Sequence, residues 1–161
     1  MIQRRYPIAA AVAVAIFLGG WLVYAKAIAR SSAHPVPWRD LTAELGPVRW
    51  PRLTISVLRE PEKLPKILAI VTPPGQAVPQ PPAIDFRHRI AIVYATGPRS
   101  STGYDLRVAR IVDEGDRISL HFREVTPTLH EHVVARLTYP YRLITIPRTT
   151  KHLRFVVDGR P

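Results

Sequence analysis

The segment Arg117-Ile118-Ser119-Leu120-His121-Phe122-Arg123 alternates apolar and polar side chains without a break. A period of two leaves a pleated strand as its one efficient way to bury a single face. Short apolar or alternating segments recur at 90–95, 104–112, 133–137, 142–146 and 153–157. Turn-forming residues separate them: Asp113-Glu114-Gly115-Asp116 carries the carboxylates and glycine of a hairpin turn. No helical period runs between them. The pattern predicts an all-β fold, a small antiparallel sandwich or barrel-like domain.

Upstream, 73–82 reads Pro-Pro-Gly-Gln-Ala-Val-Pro-Gln-Pro-Pro, a run that favours extended polyproline backbone and cannot continue a strand ladder. It is expected to be a linker, with the main domain at 83–161 folding without what precedes it. Residues 31–72 read as a stalk followed by a small region of helix and hairpin. A short helix is expected from Trp38 to Leu45, stopped by Gly46-Pro47, and two strands at 53–58 and 67–71 are expected to pair.

Residues 1–30 carry the second strong constraint. From Ile8 to Ala25 the chain is uncharged and rich in Ala, Val, Ile and Leu, between Arg4-Arg5 and Lys26. As a helix that stretch spans roughly 27 Å, close to the thickness of a bilayer's hydrocarbon core. Trp21 and Tyr24 fall where aromatic rings favour the interface. One N-terminal transmembrane helix is expected, with the lipid bilayer as partner and the β domain extracytoplasmic. Ala25-Lys26-Ala27 also offers a cleavage pattern that would give a secreted form, but cleaved signals have shorter apolar regions, which favours the anchor.

The connection Gly97-Pro98-Arg99-Ser100-Ser101-Thr102-Gly103-Tyr104 is the most distinctive loop. Gly103 is expected to supply a positive φ, and the hydroxyls of Ser101 and Thr102 to bond backbone donors that the turn leaves free. Here, and through Val125-Thr126-Pro127, Leu137-Thr138-Tyr139-Pro140-Tyr141 and Ile144-Thr145-Ile146-Pro147, the sequence resembles the C-terminal domain of the PrcB family, over roughly residues 83–157. That family is described as subunits that accompany or stabilise a secreted protease. The resemblance departs from the pattern at Thr102, where a second glycine is usual. Thr102-Gly103-Tyr104 is more weakly similar to a loop of chagasin-type cysteine-protease inhibitors, which are immunoglobulin-like sandwiches.

Other chemistries find little support. The chain has no cysteine, which excludes disulfides, thiolate metal sites and thiol nucleophiles. Its formal net charge is +11, nearly all from arginine, which favours anionic partners. The arginines are dispersed rather than run together, which argues against nucleic acid. His130 and His132 would share one side of a strand, but no carboxylate in register completes a metal site. Ser100 and Ser101 lack the surroundings of a nucleophile elbow. No catalytic, cofactor or metal site is expected.

The reading is therefore a membrane-tethered module that docks on or stabilises a protein, a protease by the resemblance. The candidate contacts are Arg99, Ser100, Ser101, Thr102, Gly103 and Tyr104, with Tyr139, Tyr141 and Arg142, since tyrosine and arginine dominate binding hot spots. The alternatives are a chagasin-like inhibitor inserting the Thr102-Gly103-Tyr104 loop, and a binder of anionic cell-surface polymers.

Overall fold

Ile90 to Ala95 is continuously apolar because its strand is buried on both faces. In the computed structural model of the chain, which describes residues 33–158, Ile90, Ile92 and Tyr94 enter one hydrophobic cluster. Ala91, Val93 and Ala95 enter another, on the opposite face. Along the chain the elements are β1 (His34–Pro35), β2 (Arg39–Asp40), α1 (Thr42–Leu45), β3 (Thr54–Leu58), α2 (Lys63–Val71), β4 (Arg89–Ala95), β5 (Arg99–Ser101), β6 (Asp105–Asp113), β7 (Arg117–Val125), β8 (Ala135–Thr138), β9 (Tyr141–Pro147) and β10 (His152–Asp158). The protein is mostly β, with strand pairs that are antiparallel apart from one.

β4 sits inside a four-stranded sheet of order β2-β9-β4-β3, and a second sheet has the order β1-β6-β7-β10. The two share a core in which Ile90, Ile92, Tyr94, Ile144 and Ile146 meet Leu106, Ile111, Ile118, Leu120 and Phe122. Tyr94 stacks on Phe122 with ring centroids 4.5 Å apart. The alternation expected of 117–123 is present: Ile118, Leu120 and Phe122 face this core. The hairpin at 113–116 also forms, with Gly115 at φ 95° and Glu114 N–H donating to the Arg117 carbonyl at 2.9 Å.

Residues 38–72 depart from the expected layout. β3 does not pair with 67–71; it adds to the main sheet along β4, with Leu58 opposite Ala91. Residues 63–71 form the helix α2 instead of a strand. Leu64 and Leu68, four apart, bury on one helical face. Pro65 is tolerated in the first turn, where its missing N–H would have had no intrahelical partner. Together with Leu41, Leu45, Val48 and Trp50, these side chains cover the second face of the β4–β9 sheet. α1, α2 and the stretch through Trp50 thus form a third layer, while β2 and β3 extend the sheet itself.

The other difference is in β10, which lies parallel to β7, with Phe155 opposite Leu120. Leu153 and Phe155 turn inward onto the shared core. The expected membrane span from Ile8 to Ala25 lies outside the described residues. Among the described residues, no helix is long and apolar enough to cross a bilayer.

Candidate protein-docking site

The loop singled out in the sequence leaves β4 through Gly97, whose φ is 80°. A Cβ there would lie 3.0 Å from the Arg52 carbonyl carbon, so glycine is required by conformation and by space. The chain then forms β5, which pairs with β8 to make a two-stranded ribbon beside the main sheets.

Arg99 is committed internally. It makes a two-point contact with Glu124, from Nε to Oε1 and from Nη2 to Oε2 at 3.0 Å, and its Nη1 donates to the carbonyls of Thr96 and Pro98. The Glu124 side chain is only 7% exposed. Its carboxylate keeps the guanidinium protonated above even the usual arginine range. Ser100 is exposed, whereas Ser101 is buried and its carbonyl accepts from the Thr138 hydroxyl at 2.8 Å. Thr102 does capture a free backbone donor, but a distant one: Val134 N–H donates to its Oγ1 at 3.0 Å, while Thr102 N–H donates to the Val134 carbonyl at 3.1 Å.

Gly103 is not at positive φ. Its role is close approach, since a Cβ would stand 2.5 Å from Pro127 Cβ and 2.6 Å from Val133 Cγ1. Thr102 and Gly103 therefore clasp a long arm, residues 126–138, against the domain.

That arm carries the most exposed apolar side chains of the region. Leu129 is fully exposed, and Val134 and Leu137 are 62% and 65% exposed, with Val133 beside them at 40%. Isolated surface leucines are ordinary, and four exposed apolar side chains on one segment make this arm a candidate surface. His130 and His132, on the same arm, belong to no group of three or more potential metal ligands among the described residues.

Residues 90–147 match the PrcB C-terminal family model. The matched segment runs from within β4 to the end of β9, and so holds the clasping loop, the arm and the tyrosines that follow it. α1, β3, α2 and β10 fall outside the match. No curated protein and no solved structure matches the chain.

The remaining candidates converge. Tyr104 and the segment 139–142 line one open cleft of about 350 Å³, closed on its other side by Thr42, Gly46 and Pro47. Tyr139 and Tyr104 are half-buried on its wall. Tyr141 is the floor: it is 6% exposed, its hydroxyl donates to the Gly46 carbonyl, and its ring lies 5.9 Å from Trp50. Burial, with the Asp40 carboxylate as a lesser cause, pushes its phenol up to about 12. Arg142 donates to Asp105 at 3.0 Å and lies 3.7 Å from Asp40.

Glu124, Asp105, Asp40 and the exposed arm were not singled out in the sequence. Asp40 carried a signal as a helix-start residue, and its carboxylate does accept from Thr42 N–H at 2.8 Å. Nothing local identifies Glu124 as the partner of Arg99, because the pair is made across 25 residues.

Proposed function

We propose that this protein is a non-enzymatic docking module, tethered to a membrane through the stretch from Ile8 to Ala25 with its β domain on the extracytoplasmic side, and that the arm at 126–138 binds a protein partner. The partner class is a protease, as the matched family suggests. The observation that carries the reading is the exposed apolar group Leu129, Val133, Val134 and Leu137, displayed on a segment that Thr102 and Gly103 fix in place. Apolar side chains on a backbone already held in place lower the ordering cost of binding. The adjoining cleft offers Tyr104 and Tyr139 as aromatic contacts at its rim.

An inhibitor inserting Thr102-Gly103-Tyr104 into an active-site cleft has less support. The N–H and the hydroxyl oxygen of Thr102 are both engaged by Val134, and Gly103 is packed against Pro127 and Val133. The loop serves as a clasp, and the arm is what it presents.

Affinity capture from membranes, followed by the same capture with Leu129→Ser/Val134→Ser, tests the proposal. The double variant is expected to melt like the parent, because both side chains are exposed, and to lose the captured protein. Retention of the partner by a folded double variant refutes the arm. A partner without protease character refutes the partner class alone.

A further inference from the structure

The face of the β6-β7-β10 layer that turns away from the core has an unusual composition. Ile118, Leu120 and Phe122 point inward, so Ser119, His121 and Arg123 point outward. On β10 the outward positions opposite them are Arg154, Val156 and Asp158. On β6 a register shift around Ala109 keeps two arginines outward, Arg107 opposite Arg123 and Arg110 opposite His121. Four arginines therefore stand on one face, and all four residues are exposed. Arg107 has Asp105 beside it at 3.2 Å; Arg110, Arg123 and Arg154 make no ion pair among the described residues.

Arg107 and Arg123 set like charges directly opposite on neighbouring strands, which opposes folding, although Asp105 stands beside Arg107 and Asp158 lies opposite Arg123. At the centre of this face two polar atoms lack any hydrogen-bond partner, Ser119 Oγ and His121 Nδ1. Ser119 is 1% exposed, and His121 Nδ1 stands 3.6 Å from the Asp158 carboxylate. A concavity of about 650 Å³ opens beside the Ala109 shift, lined by Arg107 and Arg123 together with Glu124, Thr126 and Thr128.

The position of the face selects its occupant. β1 is the edge strand of this same sheet, with His34 opposite Asp113. Eight residues lie between Ala25 and His34, a connection that reaches at most roughly 30 Å when extended. A tether ending at Ala25 therefore keeps the edge strand of this sheet within roughly 30 Å of the bilayer surface. We infer that the outer face of the β6-β7-β10 layer seats on anionic phospholipid headgroups through Arg107, Arg110, Arg123 and Arg154. The inference rests on the tether reading proposed above and leaves Leu129, Val133, Val134 and Leu137 of the arm to a protein. Arginine suits the task because its planar fork binds phosphate at two points and is less strongly hydrated than an ammonium.

The chain has no cysteine, so a single fluorophore can be placed by Ala109→Cys on this face, or by Ile70→Cys on exposed α2 as the control. The full chain is reconstituted into vesicles of phosphatidylcholine alone or mixed with phosphatidylglycerol, each carrying a headgroup quencher. Quenching at position 109, and not at 70, is expected on the anionic vesicles and is expected to fade with salt. The ratio of docked to undocked protein should fall roughly fivefold for each arginine removed in Arg110→Gln/Arg123→Gln/Arg154→Gln. That triple variant should melt at least as high as the parent, since like charges are relieved.

Equal quenching on neutral vesicles, no quenching at 109, or an unchanged triple variant overturns the inference. So does failure on vesicles combined with arginine-dependent binding of polyglutamate, which would assign the face to an acidic protein segment. Carbonate extraction reads the tether separately. An extracted chain refutes the anchor, while quenching still reports on the face.

Discussion

Trp50→Ala removes the largest fully buried side chain of the layer that the sequence assigned to a separate region. Trp50 is 0% exposed and packs with Leu41, Leu45, Leu64, Leu68 and Tyr141 against the second face of the β4–β9 sheet. A tryptophan buries about 150–250 Å², which at ~25 cal/mol per Å² is worth about 4–6 kcal/mol. Against this, Trp50 Nε1 is buried without a hydrogen-bond partner, a cost of ~1–3 kcal/mol that the substitution relieves. The cavity left behind adds to the loss, so the net expectation is about 3–5 kcal/mol, the usual range for a large aromatic. A domain of this size shifts roughly 4 °C per kcal/mol. The melting temperature should therefore fall by about 12–20 °C, in a single transition followed by both far-UV and near-UV circular dichroism. Trp50→Phe should lose much less, because it keeps most of the ring contact and removes the orphaned N–H. A loss below ~1 kcal/mol for Trp50→Ala would refute the argument, as would two separate transitions. Either would mean that 38–72 folds apart from the sheet.

Three further outcomes are expected. Arg99→Ala leaves the Glu124 carboxylate buried without its cation and should cost about 3 kcal/mol in denaturant unfolding, while a double change to Arg99→Met/Glu124→Leu should cost less. Gly103→Ala drives a methyl into Pro127 and Val133 and should cost ~1–3 kcal/mol, with partner capture falling further than stability does because the arm is displaced. The Tyr141 phenol titrates near 12 in the folded protein and near ~10 when unfolded. The folded state therefore disfavours the phenolate: the contribution is fully present below pH ~10 and is lost as pH rises from there through 12. Tyr141→Phe should flatten the alkaline limb of a stability–pH curve, and an unchanged limb would refute the assignment.

Strands were legible where one face alone is buried. The period of two in 117–123 and the glycine turn at 115 are local facts, and they set β7 and its hairpin with β6. β4 was legible as a buried strand, since six consecutive apolar residues leave no polar face. What covered its second face was not legible. Leu64, Leu68 and Trp50 meet Val93 and Leu143 only in three dimensions, and the proline-rich connection between them reads as a boundary even though the core continues across it. The short stretch Ile67 to Val71 fits either period, so tertiary burial of Leu64 and Leu68 decides for helix. At the site, Thr102 and Gly103 stood out for the right reason, unusual backbone demands, but the demands come from Val134, Pro127 and Val133. The two candidate patches, Tyr104 and Tyr139 to Arg142, share a cleft because β9 lies against α1, a contact no spacing in the sequence encodes.

The parallel pairing of β10 with β7 bears on how the protein is made. β7 emerges early enough to form its hairpin with β6 at once, yet its other edge waits for the strand that is last among those described. Until Phe155 arrives, 6.5 Å from Phe122 in the finished fold, a row of unpaired backbone groups flanks an open end of the shared core. An edge in that state is a template for pairing with another nascent chain. The hazard lasts for the time taken to synthesise the 26 residues from Thr126 to Lys151, and it includes the whole exposed arm. A chaperone would act in that interval, and a chain cut short before His152 would remain in it permanently.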